Sequence, residues 1–441
     1  MSGHCADGVC CNTECTGNCN TCVKSLGAEK DGTCKTVVNA DVTGSCDATH
    51  GGCDGGACTC NAESACTLVN PAVSVVAGYD HTCALLQNGD VKCWGSNVYG
   101  QLGVGTQVQQ LAPGSAVNLG QKATRLAAGR GYTCALLDDG SVKCWGLNTY
   151  GQLGIGNTTQ QLAPGSAVNF GQKATEIAAS AFHTCAVLDD GTVRCWGYNA
   201  YGQLGIGTYI NQSAPQVVSL GYGKATQIIA GLYHTCAIHL GGVKCWGRNV
   251  YGQLGTGTTA AAAISAYDAK TINLGGFKPT ALATGGDHSC ALLSDGSVRC
   301  WGLNNFGQLG IANKVNQSTP ASVVIGKTSG LLAVGNSEFY SCAVLINGSV
   351  TCWGNNESGQ LGLGDATIQT NIPGNEVNVG INLTVMQASG GPDHACALLT
   401  GGSVKCWGYN ASGQLGLGDK KSRGTSASHM GDNLPFVLLT P

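Results

Sequence analysis

One motif recurs seven times along this 441-residue chain, and a fixed period of that kind leaves few folds open. Each copy has a run of small residues, then His or Tyr, usually Thr or Ser, and Cys. Apolar residues, a Gly-containing turn, Val-x-Cys-Trp-Gly and an Asn ahead of Gly-Gln-Leu-Gly complete it. The second copy runs through Tyr132, Thr133 and Cys134 to Asp138-Asp139-Gly140 and on to Cys144-Trp145-Gly146. All seven tryptophans lie in the motif (Trp94, Trp145, Trp196, Trp246, Trp301, Trp353 and Trp407), 50 to 55 residues apart. Strand-like segments repeating at about 50 residues predict one sheet per repeat, arranged radially. The expected fold is all-β: a seven-bladed β-propeller over residues 67–441, preceded by a small disulfide-rich module over residues 1–66.

Within a repeat the segments alternate between strand and turn patterns. Ala123–Ala128 and Tyr132–Leu137 read as strands, Asp138-Asp139-Gly140 as a turn, and Ser141–Trp145 as the returning strand. Ala116–Leu119, ahead of these, reads as a fourth strand of the same blade. The first repeat lacks such a segment, and the chain carries a spare one at its end. Residues 434–439 are therefore expected to pair beside Val73–Val76, completing blade one and closing the ring.

Cysteine supplies the second constraint. Of 26 cysteines, 12 precede residue 67 and 14 follow it. The first set stands among Gly, Asn, Thr and Asp with few large apolar residues, so covalent staples would have to hold so small a segment. Cys15, Cys19 and Cys22 have cluster-binding spacing, but nothing in residues 1–66 could build the barrel such a cofactor needs. The later set falls two per repeat: Cys83 with Cys93, Cys134 with Cys144, Cys185 with Cys195, Cys236 with Cys245, Cys290 with Cys300, Cys342 with Cys352, and Cys396 with Cys406. A short turn between the two would set them opposite each other on antiparallel strands, within disulfide reach. Cys236 and Cys245 are one residue closer, and Leu240-Gly241 offers the two-residue turn that keeps them facing. The alternative is a pair of buried thiols packing as small hydrophobes. Even counts in both halves argue for an oxidising, extracellular or cell-surface setting. Met1 leads straight into Ser2-Gly3-His4-Cys5, so an export signal is expected to have been removed.

Charge narrows the partners. Only 11% of residues are charged and the net charge is −3, which leaves no strong field to steer nucleic acid or an anionic membrane. No stretch approaches the ~20 apolar residues that a membrane-spanning helix needs.

His81, His183, His234, His288 and His394 share one repeat position with Tyr132 and Tyr340. Exchange of His for Tyr suits a side chain bonding neighbouring backbone and not a metal ligand. The Asp80-His81, Asp287-His288 and Asp393-His394 pairs resemble acid–base dyads, yet adjacent strand residues point to opposite faces. Asp139, Asp190 and Asp295, each ahead of Gly, read as hairpin turns. The positions just before the recurring His or Tyr vary, and seven equivalent loops should emerge on one face of the ring. Tyr79, Asp80, Arg130, Phe182, Tyr233, Asp287, Phe339 and Asp393 are the candidate binding residues there. Tyr99, Tyr150, Tyr201, Tyr251 and Phe306, after the tryptophans, lie nearby in the repeat. Catalytic, cofactor and metal residues are not identified.

At Trp94-Gly95-Ser96-Asn97-Val98-Tyr99-Gly100-Gln101-Leu102-Gly103 and its six counterparts, the chain resembles the regulator of chromosome condensation family over residues 73–441. The resemblance implies the seven-bladed fold; functions in the family range over nucleotide exchange on a small GTPase, ultraviolet-B sensing and, in a secreted bacterial member, beta-lactamase inhibition. The exchange factor's protruding wedge and basic tail have no counterpart here, and the photoreceptor's loop tryptophans are missing from Gly78-Tyr79-Asp80-His81-Thr82. The function expected is that of a non-enzymatic extracellular or surface protein whose propeller face binds a protein or glycan. The alternatives are a carbohydrate-active enzyme with paired carboxylates at the channel and a nucleotide exchange factor.

Overall fold

The computed structural model describes residues 70–260, 265–325, 339–366 and 372–439. Beyond these it gives only the backbone of short strands: His4–Ala6, Val9–Cys11, Asn20–Thr21, Lys35–Thr36, Cys58–Cys60, Cys66–Leu68 and Ser329–Ala333. The expected cross-links of residues 1–66 lie outside the described residues.

Seven sheets follow one another, each opening with three antiparallel strands in chain order. In the first these are Ala72–Ala77, His81–Leu86 and Val91–Gly95; in the last, Val385–Gly390, His394–Leu399 and Val404–Gly408. The first strands of successive blades touch all the way round, and Val385–Gly390 touches Ala72–Ala77, so the ring is closed. Middle strands such as His81–Leu86 are buried at every residue. A strand covered on both faces reads as a continuous apolar run, which is why Cys-Ala-Leu-Leu shows no alternation.

Each blade carries one disulfide between its second and third strands. Cys83 bonds Cys93, Cys134 bonds Cys144, Cys185 bonds Cys195 and Cys236 bonds Cys245. Cys290 bonds Cys300, Cys342 bonds Cys352 and Cys396 bonds Cys406. The Cα atoms of each pair are 4.0 to 4.1 Å apart. Every pair is directly opposed in register, which is what brings the sulfurs together. The alternative of free thiols packed as small hydrophobes does not describe these fourteen residues. In blade four Leu240 and Gly241 both take positive φ (52° and 71°), the signature of a two-residue primed turn, and Cys236↔Cys245 stays in register. The Asp-Gly turns also form as read: Asp139, Asp190 and Asp295 each accept the amide two residues on, at 2.8, 2.8 and 3.0 Å.

The outer edge departs from expectation. Val117 donates its amide to Val91 O (2.8 Å), so residues 116–119 complete blade one and not blade two. The same bond recurs from Val168 to Val142, Ile272 to Val243, Val323 to Val298 and Val377 to Val350. At the chain end Val437 bonds Val404 O (2.8 Å) and Phe436 bridges Lys405. Residues 434–439 thus edge blade seven and do not pair beside Val73–Val76. Among the described residues only Gln212–Val218 and Gln317–Ser322 are full fourth strands; elsewhere the outer segment touches its blade through single bridges and isolated hydrogen bonds.

The ring closes instead by a backbone bond, Ala72 N to Gly402 O (3.0 Å), and by side chains. Gln387 brackets the Val75 amide and carbonyl (both 3.2 Å), and Ser389 Oγ accepts the Ala77 amide at 2.9 Å. Gln227 brackets Leu282 in the same way at the seam of blades four and five. The hydrophobic cores lie between blades. Val437 and Leu439 join Ala72, Val75, Ala84 and Trp94 at the seam of blades seven and one.

Candidate functional site

A buried belt fixes the ring just beneath the variable loops. In each blade the tryptophan Nε1 donates to the backbone carbonyl of the preceding Gly-Gln-Leu-Gly glutamine, as Trp145 does to Gln101 (2.9 Å). The Thr or Ser hydroxyl donates to the same carbonyl, as from Thr133 to Gln101 (2.9 Å). A hydroxyl that donates there must accept from the histidine of the blade before, so the belt imidazoles carry their proton on Nε2. His81 thus donates to Thr133 (2.8 Å), His183 to Thr235 (2.8 Å), His234 to Ser289 (2.8 Å), His288 to Ser341 (2.9 Å) and His394 to Thr82 (2.9 Å). Burial pushes His81 down to about 4 and the other four to about 3, so all are neutral. These histidines join blades. Gly78 stands where any Cβ would lie 2.3 Å from the His81 ring, so the small-residue run makes room for the imidazole.

The two tyrosines do the same work with a longer reach. Tyr132 donates to His183 O (2.7 Å) and lies 2.9 Å from the Thr184 hydroxyl. Tyr340 shares a buried cluster with Ala395, which offers no hydroxyl, and donates to the His394 carbonyl.

The candidate residues sit directly above this belt. A recurrent backbone bond ties the residue after Trp-Gly to the residue before His or Tyr: Ser96 to Asp80, Tyr198 to Phe182, Arg248 to Tyr233, Leu303 to Asp287, Tyr409 to Asp393. Two variable side chains therefore stand together on these blades. From blade one to blade four they merge into one cluster. The Arg130 guanidinium lies 4.3 Å over the Tyr79 ring and 5.7 Å from Phe182. Phe182 meets Tyr150 edge-on at 5.4 Å, and Tyr150 meets Tyr198 at 4.7 Å. Tyr233 packs on Tyr201 at 4.9 Å and on Tyr198 at 6.2 Å. Arg248 closes the run against Tyr201, Tyr233 and Tyr251, each at about 5.4 to 5.5 Å. Tyr198 and Arg248 had no place among the sequence candidates; their signal is the variability of the position after Trp-Gly.

The other candidates behave differently. Asp287 is only 8% exposed, ion-paired to Arg248 at 3.1 Å and bonded by Gln253 Nε2 at 2.8 Å, which makes it a buttress for Arg248. Phe339 packs with Phe306 at 5.1 Å, separately from the main cluster. Asp80 and Asp393 are half-buried, and both carboxyls are held above their ordinary range. Burial is the main cause for each, followed by Asp393 acting on Asp80 and Glu357 acting on Asp393. The face thus has an aromatic–cationic arc and an acidic arc, meeting at Tyr79 and Asp80.

The glutamines below differ with the side chain above them. At Asp287 and Asp393, two of the three Asp that precede a belt His, the belt glutamine amide donates to the carboxylate (2.8 and 3.4 Å). Where it is Phe182, Tyr233 or Phe339, the amide nitrogens of Gln152, Gln203 and Gln308 are buried without a partner. An unsatisfied buried donor costs about 1–3 kcal/mol. Satisfying the belt glutamine therefore does not account for an aromatic at these positions.

Among the described residues no group of three or more His, Cys, Asp or Glu could hold a metal ion, and no helix is long and apolar enough to cross a membrane.

The repeats match the family described as the Regulator of chromosome condensation (RCC1) repeat, at residues 72–101, 123–152, 174–203, 225–253, 280–308, 333–360 and 387–414. A second model of that repeat covers six stretches between residues 88 and 398. The Ultraviolet-B receptor UVR8 of Arabidopsis thaliana is 34% identical over 305 residues, 68% of this chain and 69% of the receptor. The Secretion-regulating guanine nucleotide exchange factor of Bos taurus is 28% identical over 353 residues, 74% of this chain and 75% of that protein. Yeast RCC1 (Prp20), in a crystal structure with Kap60 bound, shares the fold with a TM-score of 0.66 at 20% identity, over 81% of this chain and 83% of that one. With six or seven repeats matched in register around a closed ring, the chain belongs to the regulator of chromosome condensation (RCC1) repeat family.

Proposed function

We propose that the protein is a non-enzymatic binding protein of an oxidising, extracellular or cell-surface setting, and that the aromatic–cationic arc holds a protein partner. The observation that carries this reading is the set of unpartnered glutamine amides beneath Phe182 and Tyr233. Stability alone would favour Asp at those positions, as at Asp287 with Gln253. Rigid Tyr, Phe and Arg side chains on anchored loops are the residue types that dominate protein interfaces. The seven intrablade disulfides support the oxidising setting. Kap60 on yeast RCC1 is one case of a propeller of this plan carrying a protein partner.

The test is capture from culture supernatant on immobilised protein, followed by affinity measurement with the captured partner. Phe182→Ala and Tyr233→Ala should each weaken binding by at least about 1 kcal/mol. Phe182→Asp should abolish the contact while keeping or raising the melting temperature, because Gln152 regains an acceptor. Equal affinity for all three variants and wild type would place binding elsewhere.

A second reading, a carbohydrate-active enzyme, has one observation in its favour: Asp393 is close enough to raise the Asp80 carboxyl, and Glu357 close enough to raise that of Asp393. Hydrolysis of a glycan that disappears in Asp393→Asn would support it.

A further inference from the structure

We propose that the outer cleft between blades four and five binds the oxyanion of a phosphate or sulfate ester. The cleft encloses about 310 Å³. Lys270, Thr271 and Asn273 of the blade-four outer segment form one wall, Thr319 of the blade-five outer strand the other, with Thr256 beside them and Arg299 at the third strand of blade five. No carboxylate lines it. Two cations and three hydroxyls line it, and Asn273 spends its side-chain oxygen on the Gly275 amide (2.9 Å), which leaves its own NH₂ as donor.

Arg299 is the anomaly. At the same blade position Lys143, Lys244 and Lys405 donate to outer-segment carbonyls of the preceding blade, Leu119, Leu220 and Val379, at 2.9, 3.1 and 2.8 Å. Arg299 makes no such bond and no ion pair among the described residues, and its Nε is buried without a partner. Its charge reaches Asp295, but only as the weakest influence on that exposed turn carboxylate. A planar guanidinium with unspent donors beside an ammonium is the arrangement that takes an oxyanion, often bidentately.

Arg194 in blade three also has a buried, unpartnered Nε. Alignment by the shared hydrogen bonds from Val168 to Val142 and from Ile272 to Val243 sets Ser166 and Ala167 where Lys270 and Thr271 stand. A second cation joins the arginine only between blades four and five. At about 310 Å³ and open to solvent, the cleft is larger than a bare oxyanion, so a group esterified to it can extend along or out of it.

Isothermal titration calorimetry of the full chain at low salt tests this with inorganic phosphate, inorganic sulfate, glucose 6-phosphate, glucose 6-sulfate and glucose. One-site binding of at least one sugar ester is expected, tighter than its inorganic ion and with no heat from glucose; the better ester identifies the source. Arg299→Gln should weaken it about tenfold or more, Lys270→Ala several-fold, while Arg194→Gln and Phe182→Ala leave it unchanged. Should Arg299→Gln lower the melting temperature, Lys270→Ala on the exposed wall decides. No saturable binding by any oxyanion, or binding that survives both cleft variants, overturns the site; an inorganic ion binding as tightly as its ester overturns the ester.

Discussion

On every blade two adjacent positions are treated in opposite ways. His81, His183, His234, His288 and His394 are wholly buried, neutral and bonded to the next blade, while Asp80, Phe182, Tyr233, Asp287 and Asp393 just before them differ from blade to blade. The belt repeats because each side chain must satisfy a neighbour that is itself repeated. The rim is released from that demand, since the backbone bond from the residue after Trp-Gly anchors the loop whatever side chain it carries. At two acidic positions the rim still serves the belt, through Asp287 with Gln253 and Asp393 with Gln360. Where it is aromatic it leaves belt donors unpaired. A fixed ring can thus carry a changeable surface, at the expense of an unpaired belt donor wherever Phe182, Tyr233 or Phe339 stands.

The largest expected effect lies in the belt and is driven by pH. Unfolded histidines take up protons below about pH 6.5, whereas the folded ones resist until about 4 (His81) or 3 (the rest). The belt's full stability is present above pH 6.5 and is lost progressively as pH falls through about 4 for His81 and about 3 for the others. At pH 5 five histidines would give up on the order of 10 kcal/mol, comparable with the whole stability of a typical domain. Asp80, Asp287 and Asp393, with carboxyls raised by burial, offset part of this by binding protons when folded. Circular dichroism should show acid unfolding between about pH 6 and 4, with net proton uptake. Stability that is flat from pH 7 to 4 would break the picture of a neutral belt.

Next in size is the seam of the ring. Deleting residues 432–441 removes Leu434 from the core between blades six and seven, and Val437 and Leu439 from that between seven and one. At about 2 kcal/mol per buried side chain the loss is roughly 6 kcal/mol. The melting temperature should fall steeply although blade one keeps all its strand pairing. An unchanged melting curve would show that the seam needs no more than the Ala72–Gly402 backbone bond and the Gln387, Ser389 and His394 contacts.

A finer comparison separates the two belt tyrosines. Tyr132→His should be tolerated, because Thr184 offers the hydroxyl that the other belt histidines use. Tyr340→His should cost about 1–3 kcal/mol, because Ala395 leaves the imidazole donor buried and unpaired. The double variant Tyr340→His with Ala395→Thr should recover most of it. Chemical denaturation of the three proteins measures all these values, and equal losses in the two single variants would refute the pairing rule.

Much of this was legible in the chain itself. The Trp period carried the blade number, and the Cys spacing carried strand register, because opposed positions on a hairpin are fixed by turn length. The outer edge was not legible for a physical reason: a periodic sequence has no intrinsic starting point. Residues 116–119 fit equally well before blade two or after blade one until the Val117–Val91 bond decides. The misplacement of residues 434–439 is the same error carried to the chain end. At the rim, Tyr79, Arg130, Phe182 and Tyr233 stood out because they adjoin the recurring His or Tyr. Tyr198 and Arg248 did not, since they are 16 and 15 residues beyond Phe182 and Tyr233 in the chain and only a backbone bond brings them alongside.

The smallest effect belongs to blade four, where the hairpin is one residue shorter. The disulfide stays in register there only because Leu240 takes φ of 52°, a left-handed conformation that a branched apolar side chain resists. Leu240 is 73% exposed and its side chain lies against Gly223, so little packing compensates. Asn tolerates that conformation, and Leu240→Asn should stabilise the protein by about 0.5–1 kcal/mol, a rise of about 1–2 °C. Belt and rim are untouched by this change, so acid sensitivity and partner binding should stay as in wild type. A fall in melting temperature would mean that the contact with Gly223 outweighs the backbone strain, and that the shortened turn is held by packing and not merely forced by the disulfide.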